Sequence, residues 1–213
     1  MTNKNIGRTA GQNDQKIHPV NTVKELFEYS GSFKQNTRTR KTKRPGKFQQ
    51  QPEVLLKAAT FVKALKPLLF ITYRFTCEKT SYYKCAMRHV LHWVSGQAPN
   101  LVIDYSKVLV ASGNRFNTER AAAKPVGDTV LFKWERHLLP KDYATDKAIL
   151  VVYCAALNKC IFTTMGPPRV AGRAKLDVTA FRGRAIHTWI SFITADGRQV
   201  ADSLYTGKLI MDK

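Results

Sequence analysis

The chain has 213 residues, of which 44% are hydrophobic, enough to build the core of one large domain or two small ones. Lys and Arg number 35 against 15 Asp and Glu, so the formal net charge at pH 7 is +20. This composition excludes collagen-like, low-complexity and disulfide-scaffold proteins. Because so large a charge repels itself in a compact state, it indicates a polyanionic partner.

The positive charge is most concentrated near the start of the chain. Seven cations follow one another without a single acid: Lys34, Arg38, Arg40, Lys41, Lys43, Arg44 and Lys47. Residues 1–51 are therefore predicted to be a basic N-terminal arm that neutralises phosphates, with a solvated linker as the alternative. Capping-box spacing of Thr22 and Glu25 predicts a short helix over 22–29, which needs a docking partner on this chain or on a second copy.

Two longer helices are predicted after the arm. Pro52 and Glu53 begin the first, whose apolar residues keep helical spacing over about 53–66 until Pro67 ends it. The second is predicted over 81–95, with Gly96 after its end. Together they predict a helical hairpin over residues 52–98, although the connecting sequence could equally contain a strand.

After Pro99 the pattern changes to short β-rich runs separated by turn residues. Those runs are Leu101–Asp104, Lys107–Ala111, Thr129–Trp134, Ala148–Cys154, Lys159–Thr164, Ala174–Val178, His187–Thr194 and Val200–Ile210. They predict about seven strands over 99–213, in an antiparallel β-sandwich of immunoglobulin-like or jelly-roll-like type. Asp196-Gly197 predicts a tight hairpin turn between the last two strands. The predicted fold class is mainly β with a small α part.

One helix face carries possible metal ligands. Cys85, His89 and His92 stand at i, i+4 and i+7 of the second predicted helix, so they could offer three ligands to zinc. Their spacing matches no compact zinc motif, and a buried cysteine beside partly buried histidines is the preferred interpretation. We therefore expect no metal and no cofactor.

The cysteines and the other reactive residues give no catalytic pattern. Four cysteines are too few for a disulfide framework and are expected to be reduced: Cys77, Cys85, Cys154 and Cys160. The last two flank an apparent hairpin and could lie opposite each other. No phosphate-binding glycine loop and no nucleophile elbow occurs, so we expect a protein that is not an enzyme.

A second group of cations lies within the predicted sandwich. Its members are Arg169, Arg173, Lys175, Arg182 and Arg184, and Asp177 is the only acid among them. With Phe181 and Trp189 nearby, the group predicts a surface for single-stranded nucleic acid, through backbone contacts and base stacking. The alternative is that both aromatic residues belong to the core and the arginines are a solvated face.

Several segments of the sandwich region resemble a known family. They are Ile103–Val110 (IDYSKVLV) with Ser112-Gly113, Lys147–Tyr153, Thr164–Pro167, Trp189–Arg198 and Ser203–Gly207. Over about residues 50–210 the chain resembles the domain-of-unknown-function 6266 family of Bacteroidota. Residues 1–33 depart from the glycine-rich opening of that family. The resemblance implies fold and lineage, since the family has no established activity.

These features lead to three hypotheses of function. The first is a non-enzymatic structural protein that binds the backbone of DNA or RNA without sequence preference through its arm, in its sharper form a self-assembling phage or virion coat protein. The second is a β-sandwich adhesion or surface module that binds acidic polymers. The third is a monomeric, non-specific nucleic-acid-binding protein. Without a signal peptide or a membrane-spanning run, a cytoplasmic or virion location is expected, and a homo-oligomer under the first hypothesis.

Overall fold

A computed structural model of the protein describes residues 52–74, 76–77, 80–136 and 141–212, all of which belong to one compact unit over 47–213. The predicted arm and its helix over 22–29 lie outside the described residues. Within the described part, no helix is both long and apolar enough to cross a membrane.

Helices precede the sheets. α1 (Pro52–Ala64) begins at Pro52, as predicted. The prediction that Pro67 ends the helical stretch is wrong, because the chain turns at Leu65 and α2 (Lys66–Thr72) starts at once, with Pro67 in its first turn. Proline is tolerated there since the first N–H groups of a helix have no helical acceptor. A second short helix thus replaces the expected connection.

The third helix is shorter than predicted. α3 (Tyr82–Leu91) is capped by the hydroxyl of Ser81, which accepts a backbone N–H of the first turn. The next residues leave the helix, because Val94–Ser95 (β1) pairs with Val102–Ile103 (β2) in a small antiparallel hairpin. Gly96, predicted to cap the helix, lies in the loop of this hairpin with φ +96°.

Seven further strands of the described residues form two antiparallel sheets. The three-stranded sheet has the order β3 (Ala121–Val126), β4 (Thr129–Trp134), β7 (Arg173–Asp177). The four-stranded sheet has the order β6 (Lys159–Thr163), β5 (Lys147–Cys154), β8 (Ala185–Ile193), β9 (Leu204–Ile210). The predicted mainly β class and the antiparallel sandwich are confirmed. Sheets of three and four strands fit the immunoglobulin-like alternative, since a jelly roll has eight strands.

The four-stranded sheet is covered on both faces. In β5, Leu150 and Val152 pack toward the three-stranded sheet, whereas Ile149 and Val151 pack against the helices. This is why β5 and β8 are buried at nearly every position instead of at alternate ones. The layers follow the order three-stranded sheet, four-stranded sheet, helices. The outer face of the three-stranded sheet and the helices therefore lie on opposite sides of the molecule.

The predicted strand Lys107–Ala111 is wrong. This segment is a loop between the helices and the four-stranded sheet, and its backbone bonds to distant side chains instead of to a neighbouring strand. The N–H of Leu109 donates to His89 Nε2 at 3.0 Å, and the N–H of Val110 donates to Ser203 Oγ at 2.8 Å. Buried backbone groups need partners, and here residues far along the chain supply them.

The last predicted strand is also shorter. β9 starts at Leu204, because Ser203 donates its N–H to the carbonyl of Ala111 at 3.0 Å and thereby holds the loop. A hairpin turn joins β8 to β9 at Asp196-Gly197, as predicted, but it is a four-residue loop closed by Thr194 and Gln199 and not a tight two-residue turn. The N–H of Thr194 donates to the carbonyl of Gln199 at 3.0 Å, and Gly197 has φ +71°.

The edge strand β3 was missed by the sequence analysis. Three alanines and Pro125 give it a low intrinsic preference for strand. Pairing with β4 over its whole length holds it in the sheet. Proline is tolerated because β3 is an edge strand, where one side makes no ladder hydrogen bonds.

Candidate nucleic-acid interface

The outer face of the three-stranded sheet is basic. Alternation in β4 turns Val130, Phe132 and Trp134 into the core between the sheets. The residues of opposite parity on the three strands point outward, and four exposed cations stand among them: Lys124, Lys133, Arg173 and Lys175. We call these four residues the outer basic face.

Strand register brings the four cations together. Lys133 on the central strand lies directly opposite Arg173. Two residues further along, Leu131 lies between Lys124 on one side and Lys175 on the other. Directly opposed side chains in an antiparallel pair have Cβ atoms about 5 Å apart, and like charges in that position repel each other. The face therefore holds positive charge at an electrostatic cost to the free protein.

Among the described residues, acids flank this face without pairing with its cations. No ion pair within the described residues involves any of its four cations. The acids lie at both ends of the face. At one end Asp128 pairs with Arg182, and Asp177 accepts hydrogen bonds from the N–H and the hydroxyl of Thr179. Those hydrogen bonds hold the pKa of Asp177 below its usual range. At the other end Glu135, two residues beyond Lys133, pairs with Arg120 at 3.6 Å. Each acid is thus engaged locally.

Only two members of the predicted body group belong to the outer basic face, Arg173 and Lys175. Arg182 is exposed but pairs with Asp128. Arg184 is exposed immediately before β8, in the other sheet. The five cations are close in sequence without sharing one surface.

The prediction that Arg169 contacts nucleic acid is wrong, because its side chain is 0% exposed. Its Nη1 donates to the carbonyl of Phe116 at 2.8 Å, and the guanidinium lies 4.4 Å from the centre of the Phe192 ring. Asp146, itself 1% exposed, is 4.0 Å away, and Nε and Nη2 have no hydrogen-bond partner in the described part. Burial lowers the pKa of this arginine. A polymer on the surface cannot reach it.

The two aromatic residues expected to stack bases are both in the core. Phe181 packs between the sheets, and Trp189 packs on the helical side of the four-stranded sheet, each 0% exposed. The alternative interpretation, core aromatics beside a solvated face, is therefore right for these two residues.

Lys124 and Lys133 were missed by sequence reasoning. The alternation of Val130, Phe132 and Trp134 contains the signal for Lys133, since it places position 133 on the outer face. Lys124 had no such signal, because its strand was not predicted. Neither residue is near Arg173 in sequence, and only the sheet register joins them.

The possible zinc ligands do not form a site. Cys85 is joined to Cys77 in a disulfide, so the expectation that these two thiols are reduced is wrong. His89 Nε2 accepts the N–H of Leu109, and the ring of His92 packs against that of Trp93. Among the described residues, no cluster of three or more His, Cys, Asp or Glu side chains could hold a metal ion.

The other two cysteines are free and do not face each other. Cys160 is paired with Tyr153 across the strands, so Cys154 next to it points to the opposite face of the sheet. Cys154 is buried between the two sheets and Cys160 packs toward the helices. Burial raises the pKa of the Cys160 thiol to about 12, which leaves it unreactive.

Fold and site together define a β-sandwich that carries helices on one side and a basic sheet face on the other. The chain belongs to a family of unknown function (DUF6266), whose profile matches residues 29–207. No functionally curated protein matches the sequence. One similar solved structure is the solution structure of the fn3 domain of human collagen alpha-1(XX) chain. It is 15% identical, covers 48% of this chain and 92% of that domain, and has a TM-score of 0.34.

Proposed function

We propose that this protein is a non-enzymatic binder of nucleic-acid backbone that uses its basic arm together with the outer basic face. The observation that carries the proposal is the set of four adjacent cations on one sheet face, none of which makes an ion pair within the described residues. Regular strands hold them in fixed relative positions, so less entropy is lost when they contact a polyanion. Phosphate contacts of this kind carry no sequence information.

The arm adds further positive charge to that of the outer basic face. Its seven cations between Lys34 and Lys47 account for a large part of the net charge of +20. Each cation that neutralises a phosphate releases counterions, so the affinity of arm and face together must fall steeply with salt. Sequence-independent binding with a steep salt dependence is the expected behaviour.

We propose a protein that is not an enzyme because the two histidines with shifted pKa values, His89 and His187, both make structural hydrogen bonds. Burial lowers the pKa of His89 and lowers that of His187 to about 4. Each ring is engaged structurally, His89 with the N–H of Leu109 and His187 with the hydroxyl of Tyr205 at 2.9 Å. Groups of displaced pKa often mark catalytic sites, but these two are held inside packed contacts.

The test compares two variants of equal charge. The face variant replaces four cations by glutamine (Lys124, Lys133, Arg173 and Lys175), and the control variant does the same with four exposed helix lysines (Lys57, Lys63, Lys66 and Lys84). Binding to a labelled random-sequence duplex is followed by fluorescence anisotropy over a salt series. We expect the slope of log K against log salt to become shallower by up to about 3.6 in the face variant and by much less in the control.

A third variant isolates the arm. Glutamine at all seven arm cations should remove the larger share of the affinity, since it removes more charge than the face variant does. If neither the arm nor the face variant binds more weakly than the control, the proposal is wrong. Heparin as competitor distinguishes the adhesion-module alternative, because a module selective for acidic polysaccharide would keep heparin bound in the presence of excess duplex.

Self-assembly into a coat is the further part of the proposal. Light scattering of the purified protein, read together with its 260/280 absorbance ratio, tests it directly. Large particles that contain nucleic acid support a coat-type protein. A small nucleic-acid-bound species supports the monomeric binding protein instead.

A further inference from the structure

The outer basic face offers no platform for unpaired bases. Proteins that bind single strands stack successive bases on exposed aromatic side chains. On the three described strands, the outward residues other than the four cations and Asp177 are small or aliphatic: Ala122, Val126, Thr129 and Leu131. The aromatic residues of β4, Phe132 and Trp134, face the core. The face can therefore contact phosphates but offers no aromatic ring on which successive bases could stack.

The cations spread in two dimensions. Lys133 and Arg173 form one row, and Lys124 and Lys175 form a second row two residues further along the strands, about 7 Å away. From β3 to β7 the face spans two strand spacings, about 9.6 Å. One phosphate chain would follow a single line across this grid. A double helix presents phosphates from both strands on either side of a minor groove about 6 Å wide, within reach of long Lys and Arg side chains.

The direct opposition of Lys133 and Arg173 supports a ligand of high charge density. Like charges placed opposite each other destabilise an antiparallel pair. Phosphates from two strands would bring enough negative charge to relieve this repulsion. An arrangement that lowers the stability of the free protein and favours a bound state is expected at a binding surface.

From these observations we propose that the outer basic face binds the phosphate backbone of double-stranded nucleic acid, across a minor groove, in preference to single strands. This inference rests on the proposed function. The face gives the preference for duplex, whereas the arm adds affinity for either form.

The first experiment measures the affinity of the full chain for a short random-sequence duplex and for an oligothymidine of equal length, at one salt concentration. We expect the duplex to bind more tightly and the face variant to lose that preference, while the glutamine-substituted arm variant keeps it. Equal binding of both ligands, with the face variant weakening both alike, would overturn this inference and leave the proposed function intact. Absence of binding to either ligand would overturn both.

A single substitution separates binding from folding. Lys133→Glu places an acid opposite Arg173, so we expect the Tm to rise by about 1–3 °C. We expect the same variant to bind duplex more weakly, with a salt slope shallower by about 1. A lower Tm together with weaker binding would mean that Lys133 acts through the fold, which contradicts the inference. Lys57→Glu on the helical side is the control for net charge.

Discussion

The indole N–H of Trp189, in the centre of β8, donates a hydrogen bond to the carbonyl oxygen of Val108 at 3.1 Å. Trp189 is fully buried, and Val108 belongs to the loop that sequence analysis had predicted as a strand. The bond fixes that loop to the sheet and satisfies a buried backbone acceptor. It therefore connects two segments 81 residues apart in sequence.

Trp189→Phe should lower the free energy of unfolding by about 2–3 kcal/mol, because it leaves the Val108 carbonyl without its donor and opens a small cavity. Trp93→Phe is the matched control, since the Trp93 indole N–H is buried without a partner in the described residues. Urea unfolding measures both variants. If both variants lost the same free energy of unfolding, the role given to the Trp189 hydrogen bond would be contradicted.

Two arginines near Asp146 should differ in their contribution to stability. Arg115 makes a bidentate pair with Asp146, with Nε at 3.0 Å and Nη2 at 3.2 Å, whereas Arg169 stays 4.0 Å away. Arg115→Met should cost about 3–5 kcal/mol, because it leaves a buried carboxylate without its close partner. Arg169→Met should cost about 1 kcal/mol or less, since it also removes two buried nitrogens without partners. Chemical denaturation ranks the two variants, and the reverse order would refute this assignment.

The disulfide between Cys77 and Cys85 closes a short loop that ends within the first turn of α3. Replacing both residues by serine should lower the free energy of unfolding by about 2.5 kcal/mol under non-reducing conditions, by the loop-entropy relation for a loop of this length. A direct measurement is the thiol count of the unreduced, denatured protein. Two of the four cysteines should react, and a count of four would show that the bond is absent.

Stability should depend on pH through His187. Burial, and secondarily the charge of Lys208, lowers its pKa to about 4, so the folded state binds fewer protons than the unfolded state below about pH 6.5. The contribution of His187 to the free energy of unfolding is therefore fully present above pH 6.5. The free energy of unfolding should fall by about 1–2 kcal/mol toward pH 4, after allowance for partial solvent screening. His187→Gln should weaken this dependence, whereas His92→Gln, at an exposed ring, serves as the control. Denaturation midpoints measured across this pH range check it.

Gly197 should be intolerant of β-branched residues. Its φ is +71°, a conformation that side chains with a Cβ rarely adopt, yet an added Cβ would meet no atom within 4 Å. Backbone strain alone should therefore make Gly197→Val cost about 1–2 kcal/mol. Gly197→Asn should cost less, because asparagine tolerates this region. An unchanged unfolding midpoint for the valine variant would disprove the strain argument.

Features that depend on local spacing were predictable from the sequence. The start of α1 at Pro52 and the turn at Gly197 follow from residue chemistry within a few positions. Most strand positions follow from their β-rich runs. The alternation in β4 also implies an outward Lys133. The edge strand β3 was not predictable, because pairing with β4 overrides its alanines and Pro125.

The sequence by itself determined that this chain is a highly basic, mainly β protein, since composition and periodicity are properties of neighbouring residues. Tertiary structure alone decided that Arg169 is inside and that Lys124 and Lys133 join Arg173 and Lys175 on one face. Residue type does not encode which arginine will be buried next to an acid and an aromatic ring, as Arg169 is next to Asp146 and Phe192. Cross-strand register, which depends on the packing of whole sheets, is what brings cations from three separate strands onto one face, within about 10 Å of each other.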